Sequence, residues 1–334
     1  MGGTAIRIGI AYDLKTDYQG IAPSTGPDDL LEEYDSPETV EAIADALGEC
    51  GHIPVRLGGG RAFLERMLAE PVDLVFNTAE GWGTRSREAQ VPALCELLHI
   101  PYTHSGSLTL AISLDKAMTK RIASANGIRT PEFVCVEDLE ELDAVALPTF
   151  PLMVKLAGEG SSMGIGSRSR CANIRELQEA AAELLRQYSG AVIIERFLPG
   201  VEVTVLVMGN GAARVVGMME IAPRLGSIRE FVYSLEVKRN YRSRVEYHAP
   251  PRLSGPAIAA IAETALETYC AMACRDIARV DIRIDADGTA SLIEVNPLPG
   301  LHPEDGDVPI MCRHLGIPYA RLIGEIVAHA EARL

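Results

Sequence analysis

Ile6–Tyr12 is an apolar run of strand length closed by Asp13, and it begins an alternation of strand and helix signals that continues to the last residues. Ser36-Pro37-Glu38-Thr39 opens a helix with Pro at its first helical position. Val40, Ile43, Ala44 and Leu47 then recur at helical spacing, and the pattern stops near Gly51. Val72–Asn77 reads as the next strand, and Glu88–Leu98 as a helix ahead of Ile100-Pro101-Tyr102. Strands joined through helices run parallel, so residues 1–112 are expected to form a βαβαβ unit. Asp13–Pro37, rich in Pro, Gly and Asp, exceeds the ~12–15 residues usual for a structureless loop, so function or mobility is expected of it.

A second unit, 113–198, follows. Ser113–Asn126 reads as a helix with Gly127 just past its end. Pro151–Leu156 is a strand, Gly158–Gly166 a loop rich in Gly and Ser, Ile174–Tyr188 an amphipathic helix, and Ala191–Phe197 another strand. From Val201 the pattern turns strand-rich, and 199–334 is read as a third unit. It holds strands Val201–Met208 and Arg214–Ile221, a basic and aromatic stretch Arg229–Tyr247, helix Pro256–Met272, strands Ala278–Ile284 and Ser291–Val295, and a final helix Tyr319–Arg333. The fold class expected is α/β, passing into α+β. There is no internal repeat.

A chain of 334 residues, 47% hydrophobic, can bury a large core and divides naturally into two or three domains. It has no apolar run approaching the ~20 residues of a membrane span. Its first residues read as a buried strand rather than a signal peptide, so a cytoplasmic protein is expected. The net charge of −15 argues against nucleic acid, whose phosphates require a basic face. The seven cysteines show no zinc spacing. They read as reduced and mostly buried, with Cys270 and Cys274 four apart on a predicted helix. Only Lys15, Lys116, Lys120, Lys155 and Lys238 are lysines; arginine supplies the rest of the positive charge. A chain so biased toward Arg retains Lys where a compact ammonium does what a planar fork cannot. For Lys15 and Lys120, chance survival is the expected reading.

The sharpest constellation is Ala278–Ile284, a turn at Asp285-Ala286-Asp287-Gly288, then Ser291–Asn296: a β-hairpin. Side chains alternate across a strand, so Arg279, Asp281 and Arg283 share one face of the first strand, and Glu294 and Asn296 share one face of the second. If those faces coincide, Asp281, Glu294 and Asn296 supply hard oxygen ligands of the kind Mg²⁺ takes beside nucleotide phosphates. Polar residues facing water would read similarly, but Leu292, Ile293 and Val295 make the second strand look buried. A second feature is Met153-Val154-Lys155-Leu156 running into the loop Gly158–Gly166, whose backbone N–H groups can cradle phosphate. It lacks a P-loop ending, and alone such a loop is more often just a loop. A third is the strand Ile193–Phe197 with Glu195 near its end, a short connector, then Glu202. Alone it could be a plain strand end.

Together and in this order, these features resemble the ATP-grasp superfamily, and more closely the D-alanine–D-alanine ligase family. The resemblance also takes in Arg87–Glu96, Ile100–Gly106, Leu114-Asp115-Lys116 with Thr119-Lys120, and Asn296-Pro297-Leu298-Pro299-Gly300. It implies an ATP-grasp fold behind an N-terminal parallel βαβ (preATP-grasp) domain, and ATP with Mg²⁺, two ions for which Mn²⁺ can substitute. By resemblance, Lys116 and Lys155 contact the phosphates, and Ser161, Ser162, Met163 and Gly164 close over them. Glu195, Phe197 and Leu198 form the base pocket, and Glu202 holds the ribose. Lys238 on a mobile loop reaches the γ-phosphate. Asp281, Glu294 and Asn296 hold metal, while Arg279 and the N–H of Gly300 stabilise a tetrahedral intermediate. The implied reaction passes through an acyl phosphate, which an amine then displaces. Water must be excluded, and Arg229–Arg244 is the expected lid. Small amino acids are the implied substrates and a homodimer the implied assembly.

The departures lie in the substrate pocket. Where the family places a Glu before a Val-Ser pair, near the amine of the first amino acid, this chain has Leu31–Pro37, with Glu33 and Asp35 as candidates. Arg239 follows the loop lysine Lys238 in place of Tyr; Tyr233 begins that segment. The family's His-Gly-x-x-Gly-Glu-Asp-Gly run is replaced by Asn77-Thr78-Ala79-Glu80-Gly81-Trp82-Gly83. The Ser-Leu pair that holds the second amino acid's carboxylate is replaced by Gly300-Leu301-His302-Pro303-Glu304-Asp305-Gly306-Asp307-Val308, whose acids would repel a free carboxylate. Leu301 and His302 are substrate candidates there. Two readings stand beside a D-alanine–D-alanine ligase: a specialised ligase joining another carboxylate to an amine, and a silent nucleotide-binding protein. A mere binder has no need of Arg279.

Overall fold

The computed structural model describes residues 5–21, 26–188 and 190–334. Three sheets carry the architecture. The first orders β2 (Ile53–Gly58), β1 (Arg7–Ala11) and β3 (Leu74–Asn77), all parallel. Burial explains which strands the sequence shows. After Arg7, β1 is entirely buried and reads as an apolar run, whereas β2 is an edge strand, partly exposed and interrupted by Pro54 and Arg56. The sequence reading passed over β2 and the helix Gly60–Ala69 that follows it. Helix Pro37–Glu49 starts as expected: the Ser36 hydroxyl accepts from Thr39 N–H, and Val40, Ile43, Ala44 and Leu47 are buried.

The second sheet orders β4 (Phe133–Val136), β7 (Val192–Arg196), β5 (Leu152–Leu156) and β6 (Arg170–Cys171), all antiparallel, under helix Ile174–Gln187. The third orders β10 (Val245–His248), β9 (Arg214–Pro223), β8 (Glu202–Met208), β11 (Ile277–Ile284) and β12 (Ala290–Asn296), also antiparallel. Helix Gly255–Ala271 packs on one face through Ile261, Ala265 and Tyr269. The other face shares a core with the first sheet: Ile8, Ile10, Val40, Leu47, Leu206, Met208 and Met219 meet Leu322, Ile323 and Ile326 of the last helix.

Some boundaries differ from expectation. The helix read as Ser113–Asn126 is two helices, Ser107–Leu114 and Lys116–Ala125, because Asp115 is extended and caps the second through Met118 N–H. Helix Gly255–Ala271 ends before Cys274, so Cys270 and Cys274 do not share it. Cys95, Cys171, Cys274 and Cys312 are buried, but Cys50 and Cys270 are exposed. In the long stretch after β1, residues 22–25 lie outside the described residues. The rest is anchored: Tyr18 stacks on Trp82 at 5.1 Å, and buried Asp13 accepts from the Tyr18 hydroxyl and the Gly81 N–H. Among the described residues, no helix is long and apolar enough to cross a membrane.

Candidate active site

One cavity lies between the second and third sheets, and a second lies between the third sheet's β12 end and the N-terminal unit. Lys155, Glu195, Phe197, Leu198, Glu202, Thr204, Ile293, Tyr233, Lys238, Asp281 and Asp307 line the first. Lys116, Glu33, Glu80, Glu88, Glu159, Asn296 and Gly300 line the second. They share Ser161, Arg279 and Glu294, so the two chambers meet at those side chains.

The hairpin faces do coincide. β11 pairs Arg279 with Asn296 and Asp281 with Glu294. The register shifts between Asp281 and Ile282, which pairs with Leu292 and leaves Ile293 without a partner residue on β11. Through this β-bulge both Ile293 and its neighbour Glu294 face the first cavity, a use of bulges common beside active sites. Asn296 Nδ2 lies 3.3 Å from Asp281 and 3.4 Å from Glu294. Burial pushes Asp281 up to about 7, Arg279 opposing and the charge of Glu294 adding to it. For Glu294, Lys116 and Arg279 outweigh burial and hold the carboxyl well below its usual range. Among the described residues no three His, Cys, Asp or Glu converge on a metal position. Here the third oxygen is an amide. A buried and a partly buried carboxylate with an amide oxygen are the hard oxygen donors that fit a divalent cation of the Mg²⁺ kind.

Lys155 leaves β5 and places its ammonium 2.7 Å from Glu195 on the neighbouring β7. Lys120 approaches the same carboxylate at 2.7 Å and is fully buried. That overturns the reading of Lys120 as chance survival. Burial opposes ionisation of Glu195, yet the two ammonium groups hold it below the ordinary range. Lys120 itself is pulled down to about 8 by burial, against the attraction of Glu195. Lys116 and Lys120 are four apart on one helix and so share a face, the signal that could have found the second from the first. The Phe197 ring, which lines the first cavity, has the Arg283 guanidinium 4.6 Å and the Arg170 guanidinium 5.1 Å from its centroid.

Ser161 and Ser162 adopt positive φ angles of 48° and 60°, a conformation that costs L-residues energy and clusters at functional sites. Both line the first cavity. Met163 does not: its side chain is buried in the protein, and the Gly164 N–H is taken by Asp29. The lid expected at Arg229–Arg244 contains short helices Leu235–Arg239 and Tyr241–Arg244. It is tied to the Gly/Ser loop by Leu235 N–H to Ile165 O, at 3.2 Å.

Four substrate candidates lie outside both linings. Asp35 turns inward, its carboxyl 2.9 Å from the Thr78 hydroxyl. Arg239 points to the outer surface of the long stretch, where it pairs with Glu32 and Asp28. Leu301 belongs to the apolar core. His302 accepts the N–H groups of Glu304 and Asp305 and shapes its own loop. Glu33 does line the second cavity, but its carboxylate is paired with Arg87, which also holds Glu159 at 3.1 Å. Gly81, at φ +69°, makes room for this arrangement: a Cβ there would lie 2.4 Å from Arg87 O. Glu80 and Glu88 line the same cavity with no ion pair among the described residues, and burial pushes Glu88 up to about 8.

A family model for the C-terminal part of D-ala D-ala ligases matches residues 122–328. The D-alanine–D-alanine ligase of Pelotomaculum thermopropionicum is 32% identical over 300 residues, covering 87% of this chain and 90% of that protein. The solved D-alanine–D-alanine ligase of Bacillus anthracis, complexed with ATP, superposes with a TM-score of 0.73 at 21% identity, over 98% of both chains. The VanG D-Ala:D-Ser ligase of Enterococcus faecalis gives 0.70 at 21% identity, over 98% of this chain and 100% of that one. The fold is that of the ATP-grasp ligases. Within that class, the chain belongs to the D-alanine–D-alanine ligase family.

Proposed function

We propose that this chain is an ATP-dependent, ADP-forming ligase that joins the carboxylate of a small amino acid to an amine. The observation that carries the reading is the meeting of the two cavities at Ser161, Arg279 and Glu294. One chamber has the character of a nucleotide site: an aromatic ring beside two guanidinium groups, the buried Lys155, Lys238 and two strained serines. The other has the size and polarity of a small-molecule site. Its relatives' names make D-alanine the first donor to test.

In the proposed reaction Glu195, Phe197 and Leu198 hold the base, Glu202 the ribose, and Lys116, Lys155, Ser161, Ser162 and Lys238 the phosphates. Asp281, Glu294 and Asn296 would hold the Mg²⁺ ions, which when bound neutralise phosphate charge. A donor carboxylate oxygen attacks the γ-phosphorus, and ADP leaves. The amine nitrogen then attacks the acyl carbon of the acyl phosphate. Its oxyanion is met by Arg279 and the Gly300 N–H, and collapse expels phosphate. The protein contributes position and charge rather than a covalent nucleophile. We further propose three working units, 1–112, 113–198 and 199–334, a homodimeric assembly and a cytoplasmic setting.

Phosphate release from ATP across D- and L-amino acids, with mass analysis of products, tests the reading. ATP-dependent release coupled to an amide product supports it. The absence of release with every carboxylate and amine would favour a silent nucleotide-binding protein.

A further inference from the structure

Asp307 opens helix Asp307–His314 and is the acid of the 300–308 run that faces the first cavity. The others turn away. Glu304 and Asp305 pair with Arg242 at 3.2 and 3.3 Å, and the Tyr241 hydroxyl donates to Asp305 at 3.0 Å. Asp307 is 5% exposed. Its carboxylate accepts from the Tyr233 hydroxyl at 3.2 Å and lies 3.6 Å from Lys238 and 3.7 Å from Arg279. A hydroxyl, an ammonium and a guanidinium converging beside the reacting centre are the groups a substrate carboxylate would seek. Here the chain's own carboxylate has already engaged them. The first turn of a helix, where an anion is favoured, is filled by the same side chain.

We infer that Asp307 sets acceptor specificity: beside Arg279, where the two cavities meet, it already engages the donors that an acceptor's carboxylate would use, so the enzyme selects a primary amine bearing a neutral or cationic group beside its nitrogen, not a free amino acid. This rests on the ligase reading above, with Arg279 marking the acyl carbon. An acceptor carboxylate entering next to Arg279 would face an anion at short range with its donors occupied, and specificity of this kind comes from repulsion. The discrimination expected is about tenfold or more in kcat/KM.

Hydroxylamine separates this inference from the ligase reading, because it is a small amine without a carboxylate that traps any acyl phosphate: its nitrogen attacks the acyl carbon and phosphate leaves. The full-length enzyme is given Mg-ATP, hydroxylamine and a panel of D- and L-amino acids. No hydroxamate from any donor overturns the ligase reading itself. With a donor that does give hydroxamate, matched acceptors are compared: glycine with glycinamide, and D- and L-alanine with their amides. Faster use of the amides supports the inference. Equal or faster use of the free amino acids, or no product from any amide, overturns it. In Asp307→Ser the preference should shrink toward the free amino acids. An unchanged ratio, with all acceptors slowed alike, would mean that Asp307 only positions Lys238. If that variant does not fold, the wild-type ratio still decides.

Discussion

The Lys120 ammonium lies 2.7 Å from the Glu195 carboxylate, and both side chains are all but sealed from solvent. Lys155 reaches the other oxygen of the same carboxylate at the same distance. A buried anion held by two cations is intolerant of losing either, because desolvation is then uncompensated. Lys120→Met should lower stability by about 2–3 kcal/mol, somewhat less than for a lone buried pair because Lys155 remains. Thermal melts should show it, and Lys120→Met combined with Glu195→Gln should lose less than the sum of the two single losses. Strict additivity would mean the pair does not act as a unit.

Arg279 donates to Asp281 at 2.9 Å and lies 3.3 Å from Glu294, poised between the two cavities. If it stabilises the oxyanion, Arg279→Lys should cut turnover by about 10²–10³-fold while ATP affinity changes little. Calorimetric titration of ATP beside a phosphate-release assay reads both. Ligation at the wild-type rate would remove Arg279 from that role.

Stripping divalent metal should abolish phosphate release, and Mg²⁺ should restore it, with Mn²⁺ as a substitute. Glu294→Gln should weaken the metal dependence, raising the Mg²⁺ concentration needed for half-maximal rate by about tenfold or more. A rate indifferent to chelation would contradict the assignment of Asp281, Glu294 and Asn296.

Asp35 carries a pH dependence. Its carboxyl is pushed up to about 7 by burial, Thr78 opposing and Asp13 adding to it. The Thr78 hydroxyl lies 2.9 Å from Asp35 and 3.2 Å from Ala11 O, and one proton cannot serve both. A protonated Asp35 resolves the conflict by donating to Thr78. The folded state therefore retains a proton that the unfolded chain releases between about pH 4 and 7, so stability falls as pH rises through that window. Asp35→Asn mimics the protonated form, so its stability relative to the wild type should rise between about pH 4 and 7 and level off above that, measured by urea denaturation. A stability difference unchanged across that range would show that Asp35 is ionised in the fold.

What could be read in the chain was whatever local spacing dictates. Alternation along a strand put Asp281 with Arg279 and Glu294 with Asn296, and the apolar run at Ile8–Ala11 announced a buried strand. The edge strand Ile53–Gly58 was missed because partial exposure lets Pro and Arg interrupt its pattern. Asp307 was visible only as one acid in an acidic stretch. Which of those acids faces the cavity depends on Arg242, Tyr241 and His302 turning the others outward.

By itself, the sequence determined the fold class, the family and the residue types of the candidate site, because those depend on periodicity and on short motifs whose parts lie close along the chain. Tertiary structure decided the partners: that Lys120 joins Lys155 on Glu195, that a bulge turns Ile293 into the cavity, and that Arg87 takes the charge of Glu33. Each brings together groups from different elements, where burial sets the strength of a charge and packing sets which neighbour it meets.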